Sequence, residues 1–283
     1  MVKTITMRKF SFLTIIIIFI VVPTCVIGKS KISGHDDVFK DYPDHKKDYL
    51  DFIGYCNLQP VFRNAKNNQI VKMGTNNELI SVIDTNFRDY EPFYYCDYGY
   101  CKVLKTNRKQ IVIHANAIDY KFTLPSIFSS VCFSTKMDTL YYDDPDDGFI
   151  KYYILKTNKT VLTHIKGSNH QLCKGFIYYT RGADNQRSGD VEMKLYKSNL
   201  TTFDETMIQD DIFEDSWLIS PDGRFLIYCL GDGYRLFKIG PNVNTILDIP
   251  LSTDYNIVYY DYENKNFVFM NGSNLSKKII KLN

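Results

Sequence analysis

Hydrophobic and polar positions divide the chain into three textures. Phe10 to Val22 is an apolar run broken only by Ser11 and Thr14, and Lys3, Arg8 and Lys9 precede it. Lys29 to Tyr49 is polar, carries many charges and two histidines, and reads as an exposed N-terminal arm over residues 29–50. From Asp51 to Asn283 short apolar runs rich in Tyr, Phe, Ile and Val alternate with clusters of Gly, Asn, Asp and Pro. That alternation predicts strands joined by turns, hence one all-β domain over 51–283.

The uniform region repeats itself. An apolar residue or Gly followed by Tyr and then Tyr or Cys recurs at Gly54-Tyr55-Cys56, Phe93-Tyr94-Tyr95, Leu140-Tyr141-Tyr142, Ile177-Tyr178-Tyr179, Ile227-Tyr228-Cys229 and Val258-Tyr259-Tyr260. A second mark, a short strand ending in Lys and a turn, follows at Val71-Lys72-Met73, Leu104-Lys105-Thr106, Leu155-Lys156-Thr157, Tyr196-Lys197-Ser198 and Phe237-Lys238-Ile239; Met270-Asn271-Gly272 takes its place in the last unit. The intervals between the tyrosine marks average about 41 residues, within the range of propeller blades. A unit of that size cannot bury both faces of its sheet alone, and radial stacking of units solves the problem. Asp143 to Gly148, Gly182 to Asn185, Gly231 to Gly233 and Ser220 to Gly223 are expected to be turns, with Trp217 and Leu218 in the strand before the last of these. The expected architecture is a β-propeller of six blades, or five. A sandwich in which the tyrosine pairs recur by chance is the alternative.

These units resemble the YWTD repeats of low-density-lipoprotein-receptor-type β-propellers, a six-bladed family named for Tyr-Trp-Thr-Asp. Leu140-Tyr141-Tyr142-Asp143-Asp144 and Phe93-Tyr94-Tyr95-Cys96-Asp97 keep the first Tyr, an aromatic in the Trp place and the closing Asp, whereas Ile177-Tyr178-Tyr179-Thr180 keeps the Thr but has Arg181 where Asp belongs. No Trp occurs in any copy, and the EGF-like cysteine module that usually accompanies such propellers is absent from the sequence. What the resemblance implies is a protein-binding scaffold whose partner meets one face of the disc.

The apolar run adds a compartment. A charged start, thirteen apolar-dominated residues and Pro23, followed by Val26-Ile27-Gly28, read as a signal peptide over residues 1–28, cleaved after Gly28. The run is shorter than the ~20 residues of a spanning helix, so an uncleaved anchor is the lesser alternative and no membrane insertion is expected after cleavage. Asn158-Lys159-Thr160, Asn199-Leu200-Thr201, Asn271-Gly272-Ser273 and Asn274-Leu275-Ser276 are glycosylation sequons, which act in a secretory route. In an oxidising compartment the six remaining cysteines, Cys56, Cys96, Cys101, Cys132, Cys173 and Cys229, are expected to form disulfides. A Cys96–Cys101 bridge across Asp97-Tyr98-Gly99-Tyr100 is favoured.

Charge and motifs narrow the chemistry. The net charge of +2 is made of interspersed signs, which gives no reason to expect nucleic acid or anionic membrane as a partner. No HExxH, GxSxG, Walker or dinucleotide fingerprint occurs, there is no CxxC pair for zinc, and neither a catalytic residue nor a cofactor is expected. Asp143 to Asp147 offers clustered carboxylates for calcium but lacks the spacing of an EF-hand loop, so a solvated turn is expected. His114 and His164, at the ends of apolar runs, are expected to be structural. Asp138, Asp215 and Asp254 are the candidate carboxylates of a propeller glycosidase, and the abundant tyrosines suggest an extracellular-matrix protein as a further alternative. The reading that unites these features is a secreted glycoprotein that recognises an extracellular protein or glycan without catalysis.

Overall fold

The computed structural model describes residues 50–64, 67–73, 79–84, 87, 89–184, 191–210, 212, 217–230, 233–239, 245–249, 251, 255–271 and 277–281. The expected signal, its cleavage point, the arm up to Tyr49, Asp215, Asp254 and Asn274 lie outside the described residues.

The described strands form five sheets that make six blades, blades one and two sharing one eight-stranded sheet. Blade one holds β1 (Leu50–Cys56), β2 (Gln59–Asn64), β3 (Ile70–Met73) and β4 (Leu79–Asp84); blade two holds β5 (Tyr90–Cys96), β6 (Gly99–Leu104), β7 (Asn107–Ala115) and β8 (Ile118–Thr123). Blade three is β9 (Val131–Phe133), β10 (Thr139–Asp144), β11 (Phe149–Ile154) and β12 (Lys159–Lys166), and blade four is β13 (Ser168–Cys173), β14 (Phe176–Asp184), β15 (Val191–Asn199) and β16 (Glu205–Gln209). Blade five is β17 (Trp217–Ile219), β18 (Phe225–Leu230), β19 (Gly233–Lys238) and β20 (Thr245–Ile249); blade six shows β21 (Tyr255–Asp261), β22 (Asn266–Asn271) and β23 (Lys277–Lys281).

Every blade is an antiparallel meander in chain order. A single parallel contact, Gly54 opposite Tyr95, joins β1 to β5, so the first strand of each blade is the innermost. The hydrophobic pattern follows from that position. β9 (Val131, Cys132, Phe133) and β17 (Trp217, Leu218, Ile219) are buried along their whole length, because neighbouring blades cover both of their faces, whereas the outer strand β8 is exposed at alternate residues.

The core is distributed over the seams between blades. Ile53, Val61, Ile70 and Phe87 fill the seam of blades one and two. Tyr94, Ile113, Phe133 and Leu140 fill that of two and three, and Ile150, Ile165, Ile177 and Tyr179 that of three and four. Trp217, Leu226, Tyr228, Phe267 and Phe269 belong to one continuous cluster through blades four, five and six. Tyr55, Phe62, Val71, Tyr259 and Val268 pack blade six against blade one and close the ring. This is the all-β propeller expected from the repeat, with six blades.

Polar latches cross the same seams. Gln171 Nε2 donates to the Trp217 carbonyl, joining blades four and five. Ser130 Oγ lies 3.1 Å from His170 Nδ1 between blades three and four. At the closing seam the Tyr55 hydroxyl donates to the Tyr260 carbonyl at 2.8 Å and accepts from the Tyr260 N–H at 3.0 Å. Burial raises the Tyr55 pKa, so the hydroxyl stays protonated and both bonds persist. Tyr55→Phe strands two buried backbone groups, and chemical denaturation is expected to register a loss of about 2 kcal/mol.

Two details differ from the sequence reading. The tyrosine marks do not share one structural position: Tyr55, Tyr94 and Tyr259 lie on first strands, but Tyr141, Tyr178 and Tyr228 lie on second strands. The interval from Tyr94 to Tyr141 therefore gains a strand and that from Tyr228 to Tyr259 loses one. Gly182 to Asp184, expected in a turn, continues β14 and pairs with Met193, Glu192 and Val191 of β15. The turn expected at Asp143 to Gly148 is made by Pro145 to Gly148, with Asp143 and Asp144 ending β10, and that at Ser220 to Gly223 forms as expected.

Candidate binding surface

Because strands alternate in direction along a meander, the connections after the first and third strands of each blade emerge on one face of the disc, and those after the second and fourth on the other. The first of these, the first-turn face, carries two adjoining hollows on either side of the β9–β10 turn. The inner one, of about 330 Å³, is lined by Tyr55, Asn57, Leu58, Cys96, Asp97, Tyr98, Thr135 and Tyr262, from turns of blades one, two, three and six. The outer one, of about 360 Å³, opens the seam of blades three and four between Asp138, Tyr141, Tyr152, Lys156, Leu200 and Phe203.

Local sequence explains how these residues come to the surface. The β1–β2 hairpin is closed by Asn57 and Leu58, both with positive φ (49° and 64°). This is the primed hairpin turn that usually has Gly in its second place. Leucine there is strained, and it is held 46 % exposed. Asp97 and Tyr98 close the equivalent hairpin of blade two, and Asp97 Oδ1 accepts the Asn57 N–H at 2.7 Å, which ties the two turns together. Phe203, in the β15–β16 connection, also has positive φ (60°) and is exposed. Ile118, after β7, lies on the same face and is exposed as well. Among the described residues the opposite face presents Phe128 as its exposed large apolar side chain, while Leu162, Met207, Leu247 and Ile279 lie on outer strands.

The inner hollow combines tyrosine rings with one carboxylate. Tyr55 and Tyr262 meet edge to face at 4.7 Å. Burial, and then the Asp97 charge, raise the Cys56 thiol pKa beside it. The outer hollow is walled by the Tyr141–Tyr152 pair, with ring centres 5.6 Å apart, and balances Asp138 against Lys156.

The sequence-predicted residues fall in different places. No disulfide joins Cys96 to Cys101 among the described residues. The register explains this: Cys96 stands opposite Gly99 and Cys101 opposite Tyr94, so the two thiols are diagonal neighbours. Diagonal pairs are ~7–8 Å apart, too far for a disulfide without backbone movement. Cys56, Cys132, Cys173 and Cys229 occupy blades one, three, four and five, and Cys96 Sγ rests against Met137 Sδ at 3.8 Å. Burial pushes the Cys96 thiol up to about 11 and raises Cys101 and Cys132 well above the ordinary value, which makes them poor nucleophiles.

Asn158 and Asn199 sit in third connections, on the first-turn face. Asn158 is exposed and accepts the Tyr153 hydroxyl at 2.8 Å; Asn199 Oδ1 accepts the Thr201 and Thr202 N–H groups. Asn271 ends β22, toward the opposite face.

Apart from His164, which was expected to be structural and is exposed, the remaining polar candidates are engaged within the fold. The Lys151 ammonium lies 2.7 Å from Asp144 and 2.6 Å from Asp147, the place a cation would take in that turn, while Asp143 accepts the Ser130 hydroxyl. His114 pairs with Asp119 at 2.6 Å and stacks on Tyr100, whereas His164 is exposed at an irregularity of β12. Asp138 accepts the Ser134 hydroxyl at 2.6 Å. The sequence reading did not single out Leu58, Tyr98 and Phe203; the signal for the first was an Asn-Leu pair where a two-residue hairpin turn prefers Asn-Gly.

No protein-family model matches the chain, and no curated protein matches it by sequence. Among solved structures, Hsv2 from Kluyveromyces marxianus aligns at 10 % identity with a TM-score of 0.57, over 84 % of this chain and 74 % of that one. Hsv2 from Kluyveromyces lactis, with its complete loop 6CD, aligns at 10 % identity and a TM-score of 0.55, over 79 % and 70 %. At such identity the likeness concerns the fold alone, and it agrees with the propeller described above.

Proposed function

We propose that this chain is a secreted, glycosylated and non-enzymatic recognition scaffold that binds an extracellular protein through its first-turn face. The observation that carries the reading is the gathering of Leu58, Tyr98, Ile118 and Phe203 on turns of one face, beside two hollows, with Leu58 and Phe203 in backbone conformations that apolar residues rarely adopt. An apolar, exposed residue in a turn position that favours Gly or Asn is a reason to look for a role at that place. Exposed aromatic and aliphatic anchors around a concavity are what a protein interface uses for its central contacts. Secretion is supported by the charged and apolar N-terminus and by the sequons at Asn158, exposed in a turn, and at Asn199, half-exposed at the end of β15.

The test is to produce the full chain in eukaryotic cells, recover it from the medium, and place a photo-reactive amino acid at Tyr98 or, as the control on the other face, at Phe128. The expected result is an N-terminus near Lys29, glycan mass at the sequons and one defined extracellular species linked through position 98 only. Equal capture at both positions, or retention of the chain inside the cell with an intact N-terminus, overturns the reading.

A further inference from the structure

The inner hollow has a charge character of its own. Among the described residues its lining carries one charge, the Asp97 carboxylate, and no lysine or arginine, in contrast to the balanced Asp138 and Lys156 of the outer hollow. Asp97 has no cationic partner among the described residues, and its Oδ1 is fixed by the Asn57 N–H. The carboxylate also takes a side-chain hydrogen bond from the Cys56 thiol and is otherwise exposed to solvent. Around it stand the rings of Tyr55, Tyr98 and Tyr262, whose electron-rich faces attract a cation, and the Tyr55 hydroxyl is already committed to Tyr260. A volume of about 330 Å³ has room for one long side chain with its head group. Lys136, Glu263 and Lys265 stand exposed on neighbouring turns, outside the lining of the hollow, and Lys72 acts on the Cys56 thiol next to it.

We propose that the inner hollow receives a lysine or arginine side chain presented by the partner protein, with the ammonium or guanidinium paired to Asp97 and flanked by the tyrosines. This rests on the reading of the first-turn face as a recognition surface. Part of the binding energy is charge-assisted hydrogen bonding and part is burial of the aliphatic stem against Leu58 and the rings.

The experiment uses the full secreted chain, isotope-labelled, titrated by NMR with acetyl-Gly-Gly-Lys-Gly-Gly-amide, its Arg counterpart and its Gln counterpart. The expected result is saturable shifts at Asp97 and Tyr98 with the two cationic peptides and binding about tenfold weaker with the neutral one. Asp97→Asn keeps one oxygen to accept the Asn57 N–H, removes the charge and turns the second oxygen into an NH2 donor; it is expected to abolish the preference, while Asp138→Asn in the outer hollow leaves it unchanged. Equal binding of the three peptides, a preference that survives Asp97→Asn, or no binding by any peptide overturns the inference. Capture of a partner through Tyr98 without a cation preference removes this inference and leaves the scaffold reading intact. A cation preference without any captured partner removes the scaffold reading instead.

Discussion

Gly54→Ala is expected to destabilise the propeller by more than about 3 kcal/mol, or to prevent it from closing. A Cβ at position 54 falls 1.9 Å from the Tyr95 carbonyl oxygen and 2.9 Å from its carbon. The obstacle is backbone, and the backbone belongs to another blade, so no side chain can swing aside. Gly54 has φ of +146°, a conformation that alanine adopts only with strain. It is also the residue at which β1 meets β5, so any retreat of β1 opens the seam lined by Ile53, Val61 and Ile70. Gly148 supplies the control, because it has φ of +72° and nothing within 4 Å of its would-be Cβ. Gly148→Ala is expected to cost only the conformational penalty, about 1 kcal/mol. Urea unfolding of the two variants separates the effects. Similar small losses for both would mean that the inner strands do not approach as closely as described.

That close approach lies behind both the success and the failure of the sequence reading. The repeat was legible because each blade must present Tyr and aliphatic side chains to two seams, and this forces similar apolar runs about every 41 residues. The unequal spacing was not legible as structure. A Tyr-Tyr pair suits a first strand facing the axis, as at Tyr94, and equally a second strand covered on both sides, as at Tyr178, so the mark identifies a buried strand and not its rank. Turn chemistry was read well where carboxylates and Pro forced it, at Pro145 to Gly148 and Ser220 to Gly223. It was misread at Gly182, because a glycine also fits within a strand such as β14. Cysteine spacing suggested a staple across the β5–β6 hairpin, but a loop of four residues in sequence became a two-residue turn in space, which set Cys96 and Cys101 one rung out of register. The binding surface was the least visible part. It draws on turns of blades one, two, three and six, and only closure of the ring brings Tyr262 beside Asn57 and Asp97.

The seam of blades three and four should make the protein sensitive to mild acid. His170, on β13, is wholly buried, with Nδ1 3.1 Å from the Ser130 hydroxyl, which in turn donates to Asp143 Oδ1 at 3.0 Å. With that hydroxyl's proton directed at Asp143, Nδ1 must carry a proton and donate to Ser130 Oγ. Burial pushes the His170 pKa down to about 4, against a smaller opposing effect of the Tyr141 carbonyl. The neutral ring therefore belongs to the folded state and the charged ring to the unfolded one. Above the unfolded value near 6.5 both states hold the neutral ring and the full stability is present; as the pH falls from there toward 4 the unfolded chain takes up a proton that the folded chain refuses, and stability declines. Between about pH 7.5 and pH 5 the loss amounts to ~2 kcal/mol. Carboxylates that their partners hold low, such as Asp147, Glu205 and Asp222, lose their contribution at still lower pH and do not share this window. Unfolding free energies at the two pH values, for the native chain and for His170→Gln, isolate the effect. Glutamine keeps a donor toward Ser130 without a titrating ring, so its stability is expected to stay nearly flat across the window. A native chain equally flat, or a His170→Gln chain with the same slope, would place the proton uptake elsewhere and leave the seam indifferent to acid.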